Sequence, residues 1–152
     1  MAGGTFTTTI QAPPEQVWAV VSDIGTHGLW SPKKYTVEWV SGQPNQVGSK
    51  FHSVGVAISR RCENTSEITE RVEPKRFAFL STDPQGVFLN EFDLRPIGDR
   101  TTEVAFTLTF PKMHGIAALA TPILFPLMSK RDIGKRLSML KGTVEGRSEP
   151  LR

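Results

Sequence analysis

The chain has 152 residues, 38% of them hydrophobic and 22% charged, with a net charge of +3. This is the profile of one globular domain over residues 1–152 with its core at about 4–146, and it excludes a low-complexity or fibrous chain. A pI near 9.2 is too mild to argue for a polyanionic partner, and one cysteine, Cys62, excludes an intrachain disulfide and suits a reducing, cytoplasmic location.

Thr5 to Gln11 alternates, with Phe6, Thr8 and Ile10 on one side, and its β-branched residues favour a strand. Ala12-Pro13-Pro14-Glu15 starts a short helix, because proline is tolerated in the first helical turn. Val17, Trp18, Val20, Val21 and Ile24 form its apolar face. Gly25, Gly28 and Pro32 break the next stretch into a second short helix or turn, ending in Leu29-Trp30-Ser31-Pro32. From Tyr35 the period becomes two. Tyr35, Val37 and Trp39 mark a second strand, and Lys50 to Ile58 a third. The inward face of that third strand is ambiguous, since Phe51 and Ser53 compete with His52, Val54 and Val56. A fourth strand runs from about Cys62 to Val72, a fifth from Arg76 to Thr82, a sixth through Phe88, Asn90, Phe92 and Leu94, and a seventh through Val104, Phe106, Leu108 and Phe110. Turns at Asp83-Pro84-Gln85-Gly86 and over Pro96 to Arg100 are short enough for an antiparallel meander.

The C-terminal segment holds the only long helical pattern. Its apolar opening, Met113 to Ser129, is shorter than the ~20 residues of a membrane span and carries Pro122 and Pro126. The N-terminus lacks a basic region followed by an apolar run, so no signal peptide is expected. Ile116, Ala120, Ile123 and Leu127 form one helical stripe; Ile133, Leu137, Leu140 and Val144 form another, with a kink expected at Pro126 or Gly134. Lys130, Arg131, Lys135, Arg136 and Lys141 lie off the second stripe, and Asp132 and Arg136 have the i,i+4 spacing of a helical ion pair. This order of elements predicts an α+β fold: a seven-stranded antiparallel sheet wrapped around a long C-terminal helix, with two short helices between strands one and two.

The pattern resembles the START-like (SRPBCC) helix-grip proteins, the polyketide cyclase/dehydrase and lipid-transport group. Ala12 to Trp18 is similar to that family's opening, Leu29 to Pro32 to its short second helix, Ile68 to Phe77 to its strand, Glu-Pro turn and next strand, and Asp99 to Val104 to its last hairpin. The resemblance spans Phe6 to about Glu145 and implies a cavity between sheet and helix. It carries no catalytic motif common to all members, so function must be argued from the pocket.

With the aromatic faces inward, Phe77, Phe79, Phe88, Phe92, Val104, Phe106 and Leu108 line that cavity, and Phe51 joins them from the third strand. Trp30, Ile116, Leu119 and Ile123 close it, while Asn64, Ser66 and Asn90 orient a ligand carbonyl or hydroxyl. A pocket of about 300–1,000 Å³, dry and empty, costs ~7 kcal/mol or more, against a total stability of about 5–15 kcal/mol. Water, a ligand or partial collapse must therefore fill it, and Met113 to Pro126 is expected to act as a mobile gate.

Three functions compete. The first is binding, extending to transport, of a small hydrophobic ligand such as a lipid, a fatty acid or a polyketide-like molecule. The second is a polyketide cyclase/aromatase or dehydratase, for which His114 is the tolerable acid–base candidate and Glu70 and Glu91 are candidates by position alone. The third is a partner-regulating module. Lys130, Arg131, Lys135 and Arg136 suit transient contact with an anionic membrane. His27, His52, His114 and Cys62 show no metal-ligand spacing, and no cofactor or nucleic-acid signature appears, so no metal, cofactor or nucleic acid is expected.

Overall fold

A computed structural model describes residues 3–32, 34–57 and 60–148, with side chains outside 56–63, 127–129 and 147–148. Seven strands form one sheet in the order β1-β7-β6-β5-β4-β3-β2, every neighbouring pair antiparallel. They are β1 Gly3–Ile10, β2 Tyr35–Ser41, β3 Lys50–Ala57, β4 Arg60–Val72, β5 Arg76–Asp83, β6 Gly86–Gly98 and β7 Thr101–Met113. Helix α1 covers Pro14–Val21, a 3₁₀ helix covers Ile24–Trp30, and α2 covers Gly115–Ser148. This is the helix-grip α+β arrangement that the order of elements predicts. The expected turn over Pro96 to Arg100 is shorter, because β6 runs on to Gly98 and β7 resumes at Thr101. Cys62 and the C-terminal residues after Ser148 lie outside the described side chains.

Local chemistry sets the entry to the fold. Pro14 opens α1, and Val17, Trp18, Val20 and Val21 bury its inner face. At its end Ser22 Oγ donates to the Trp18 carbonyl at 2.7 Å. Thr26 Oγ1 donates to the Asp23 carbonyl at 2.8 Å, and Asn45 Oδ1 accepts from the Ile24 N–H at 2.9 Å. These bonds fix the start of the 3₁₀ helix and tie it to the turn after β2, and at Gly28 the helix meets β2 itself: a Cβ there would lie 1.9 Å from the Tyr35 carbonyl oxygen.

The inner sheet face carries Phe51, Ile68, Phe77, Phe79, Phe92, Val104 and Phe106, all buried. That resolves β3: Phe51 faces inward and pairs with Ser66, while His52 lies opposite Thr65 and bonds it at 3.2 Å. Ile133, Leu137, Leu140 and Val144 of α2 close over this face and over α1. The outer face carries a charged node. Arg76 Nε donates to Glu70 at 2.7 Å, Nη1 to Asp93 at 2.9 Å and Nη2 to Glu91. Glu70 and Glu91, positioned in strands as candidate acids, are thus bound to an arginine on the outer face of the sheet, and Arg76 holds the Glu70 carboxyl below its ordinary range.

Candidate functional site

A cavity of about 350 Å³ opens between the sheet and α2. Its apolar walls are Phe88 of β6, Leu108 and Phe110 of β7, and Phe125 and Ile133 of α2; its polar groups are Asn64, Ser81, Asn90 and Asp132. Strand pairing brings these together, since Asn90 lies opposite Leu108 and Phe79. Phe110 meets Phe88 edge-on at 5.4 Å and Phe125 at 5.0 Å between ring centroids, which ties the helix to the sheet at the cavity.

Of the residues expected at the pocket, Asn64, Phe88, Asn90 and Leu108 line it. Ser66 is buried just behind, with its hydroxyl 2.7 Å from that of Ser81. Phe51, Phe77, Phe79, Phe92, Val104, Phe106 and Trp30 belong to the packed core beneath. Ile116, Leu119 and Ile123 do not close the cavity: they are 83%, 76% and 68% exposed. Phe125 explains this, because Ile123 stands about 160° around the helix from it, and burying Phe125 against Phe6 and Phe110 turns Ile123 outward. His114 is exposed at the mouth of α2, where its backbone N–H donates to the Gln85 carbonyl at 2.9 Å, so it is not beside the cavity.

Asn90 Nδ2 is 3.4 Å from the Phe79 and Phe88 carbonyls and 3.5 Å from Ser81 Oγ. These are long, weak bonds, so the amide can turn to a ligand at little cost. Asp132, exposed at the rim, is the ionisable residue of the lining. Its spacing predicts an ion pair with Arg136, yet among the described residues Arg136 makes no ion pair and points elsewhere. The Arg136 guanidinium carbon lies 4.9 Å from the ring centre of Trp30, 5.4 Å from Phe106 and 5.8 Å from Phe92. Arg136 therefore leaves the exposed basic face, which retains Lys130, Arg131 and Lys135. The signal is present in the spacing: Arg136 follows Ile133 by three residues and precedes Leu140 by four, which places it on the buried side of the helix.

His27 completes this layer, and its sequence context does not single it out. Its ring is buried, 4.4 Å from Trp30 and 5.8 Å from Phe92 between centroids. Nε2–H donates to the Val21 carbonyl at 2.7 Å, which leaves Nδ1 to accept from Arg136 Nη2 at 3.4 Å. Burial, reinforced by the Arg136 charge and only partly opposed by the Val21 bond, pushes the imidazole down to about 3, so it is neutral at pH 7. Burial also lowers Arg136 and raises the neighbouring Tyr35 phenol. Among the described residues no cluster of His, Cys, Asp and Glu is arranged to hold a metal, and no helix is long and apolar enough to cross a membrane.

Residues 1–145 match the model of the family described as polyketide cyclase / dehydrase and lipid transport. Among curated proteins no sequence relative matches. Several solved structures share the fold. An aromatase/cyclase from Streptomyces sp. R1128 is 17% identical with a TM-score of 0.78, covering 97% of this chain and 96% of its own. A protein from Thermus thermophilus is 20% identical with a TM-score of 0.77, covering 97% of this chain and 100% of its own. A conserved protein from Geobacillus kaustophilus is 16% identical with a TM-score of 0.75, covering 95% of this chain and 96% of its own.

Proposed function

The chain belongs to the polyketide cyclase / dehydrase and lipid transport family, and we propose that it binds a small hydrophobic ligand between sheet and α2. The observation that carries this is the cavity of about 350 Å³ walled by Phe88, Leu108, Phe110, Phe125 and Ile133. It opens to solvent, with Asp132 exposed at its rim, so it is hydrated when no guest is bound. Asn64, Ser81 and Asn90 let water occupy it in the absence of a guest, and the apolar walls favour replacing that water by a ligand. The cyclase reading is less well supported, since its candidate His114 is exposed and away from the walls. Native mass spectrometry of the purified protein, with organic extraction of anything bound, tests the proposal. A co-purifying apolar molecule supports it. An empty protein whose melting temperature no lipid, fatty acid or aromatic polyketide shifts refutes it.

Transport requires delivery, and one surface suits a membrane. The exposed side chains of Ile116, Leu119 and Ile123 stand on the same helix as exposed Lys130, Arg131 and Lys135. Apolar insertion next to cations is the arrangement that favours anionic lipid over zwitterionic lipid. Each cation near such a surface contributes about 1 kcal/mol, so vesicles containing phosphatidylglycerol should bind at least about tenfold more protein than pure phosphatidylcholine vesicles. Equal co-sedimentation with both would remove the delivery step while leaving the cavity reading intact.

A further inference from the structure

The layer directly beneath the cavity holds a cation that has no counter-ion among the described residues. Asn90 and Leu108, which line the cavity, pair with each other across β6 and β7. The next inward-facing pair is Phe92 and Phe106, the two rings under the Arg136 guanidinium. That step is about 7 Å along the strands. On α2 the same step leads from Asp132 and Ile133, at the cavity, to Arg136 one turn on. The guanidinium thus lies one layer below the lining, against Trp30, Phe92 and Phe106 of the packed core.

The groups that meet this charge are neutral. His27 contributes an uncharged nitrogen, Trp30, Phe92 and Phe106 contribute π faces, and Tyr35 is a half-buried phenol. An arginine keeps its proton at any physiological pH, so the charge persists. Two buried donors in the layer, Arg136 Nε and Trp30 Nε1, have no hydrogen-bond partner among the described residues. Both can only donate, and no described acceptor meets them. Buried donors are ordinarily satisfied, and the half-buried Arg136 cation gains from an anion in hydrogen-bonding contact. An acceptor-only, negatively charged group supplies both requirements at once.

We propose that the ligand of this cavity is an amphipathic acid, its apolar body held between β6, β7 and α2 and its carboxylate directed down to Arg136. The proposal rests on the cavity reading above and adds a chemical class to it. Arg136 is a specificity-determining residue in this view: the walls bind hydrocarbon of either kind, and the guanidinium selects the charged form.

Matched probes separate the two ideas. Naphthoate and methyl naphthoate, and octanoate and methyl octanoate, differ in charge while sharing an apolar body. Calorimetric titration of the wild-type protein should show each acid binding at least about tenfold more tightly than its ester, as a charge-assisted hydrogen bond provides. Arg136→Met should abolish that preference while keeping ester binding, and Arg136→Lys should retain part of it. Equal binding of acid and ester by the wild type, or a preference that survives Arg136→Met, overturns the subsite and leaves the cavity reading standing. Binding of none of the probes overturns both. Should Arg136→Met fail to fold, the wild type still decides. The Arg136 Nε–H resonance should move on addition of naphthoate and not of its ester, and its indifference to both would overturn the proposal.

Discussion

Gly28→Ala is expected to destabilise the protein by about 3 kcal/mol. The added Cβ would sit 1.9 Å from the Tyr35 carbonyl oxygen, 2.9 Å from the Tyr35 carbonyl carbon and 3.1 Å from its nitrogen. All three are backbone atoms of β2, so no side chain can swing aside. Either the 3₁₀ helix lifts or β2 shifts, and both moves displace His27 and Trp30 from the centre of the core. For a domain of this length the loss corresponds to a melting temperature lower by roughly 6–12 °C. The same substitution at Gly134 provides the control. Nothing lies within 4 Å of a Cβ there, and within a helix alanine is favoured over glycine by up to about 1 kcal/mol. Urea denaturation of both variants checks the pair. A Gly28→Ala midpoint within experimental scatter of the wild type would show that the contact between the 3₁₀ helix and β2 is not as tight as described.

The second large effect is acid sensitivity through His27. Folded, this imidazole is held at about 3 against an ordinary value of 6.5, so the unfolded chain binds the proton more readily than the native one. The associated stability is fully present above about pH 6.5 and falls as the pH drops, at up to ~1.4 kcal/mol per pH unit, until the folded group itself titrates near 3. Between pH 8 and pH 5 this single group should remove about 2 kcal/mol. The window lies above that in which most carboxylates titrate, which makes the effect separable. His27→Gln keeps a polar, neutral side chain and should flatten the stability profile over that interval, whatever its own cost at pH 8. An unchanged slope in the glutamine variant would show that His27 is protonated or solvated in the native state.

Both effects centre on a residue that no local pattern singles out. His27 lies in a short, glycine-broken turn, and its partner Arg136 is 109 residues away. Strands were legible because a period of two survives in β5, β6 and β7 with large aromatics on one side. In β3 both faces carry apolar residues, and only pairing of Phe51 with Ser66 decides between them. The cavity was legible from its strand side, through Phe88, Asn90 and Leu108, and much less from its helix side. There the stripe Ile116, Leu119 and Ile123 competed with a face marked by Phe125 alone, and ring contacts to Phe6 and Phe110 favour the latter. Arg136 was hidden by chemistry: an arginine in the basic stretch of a helix reads as solvated, and three aromatic rings from distant segments are what bring it inside.

The pairing of β1 with β7 sets a condition on the order of assembly. Gly3 meets Thr109 and Ile10 meets Thr102, contacts that span most of the chain. A polypeptide leaving the ribosome can complete the hairpins from β2 to β6 while its first strand still lacks a neighbour. Throughout that interval the phenylalanines of the inner face have no lid, because Ile133, Leu137, Leu140 and Val144 are synthesised after every strand. Contacts of such long sequence separation slow folding, and an uncovered apolar face is what aggregates and what chaperones hold. Yield in cells should therefore respond more to changes in the final helical turns than native packing alone would suggest.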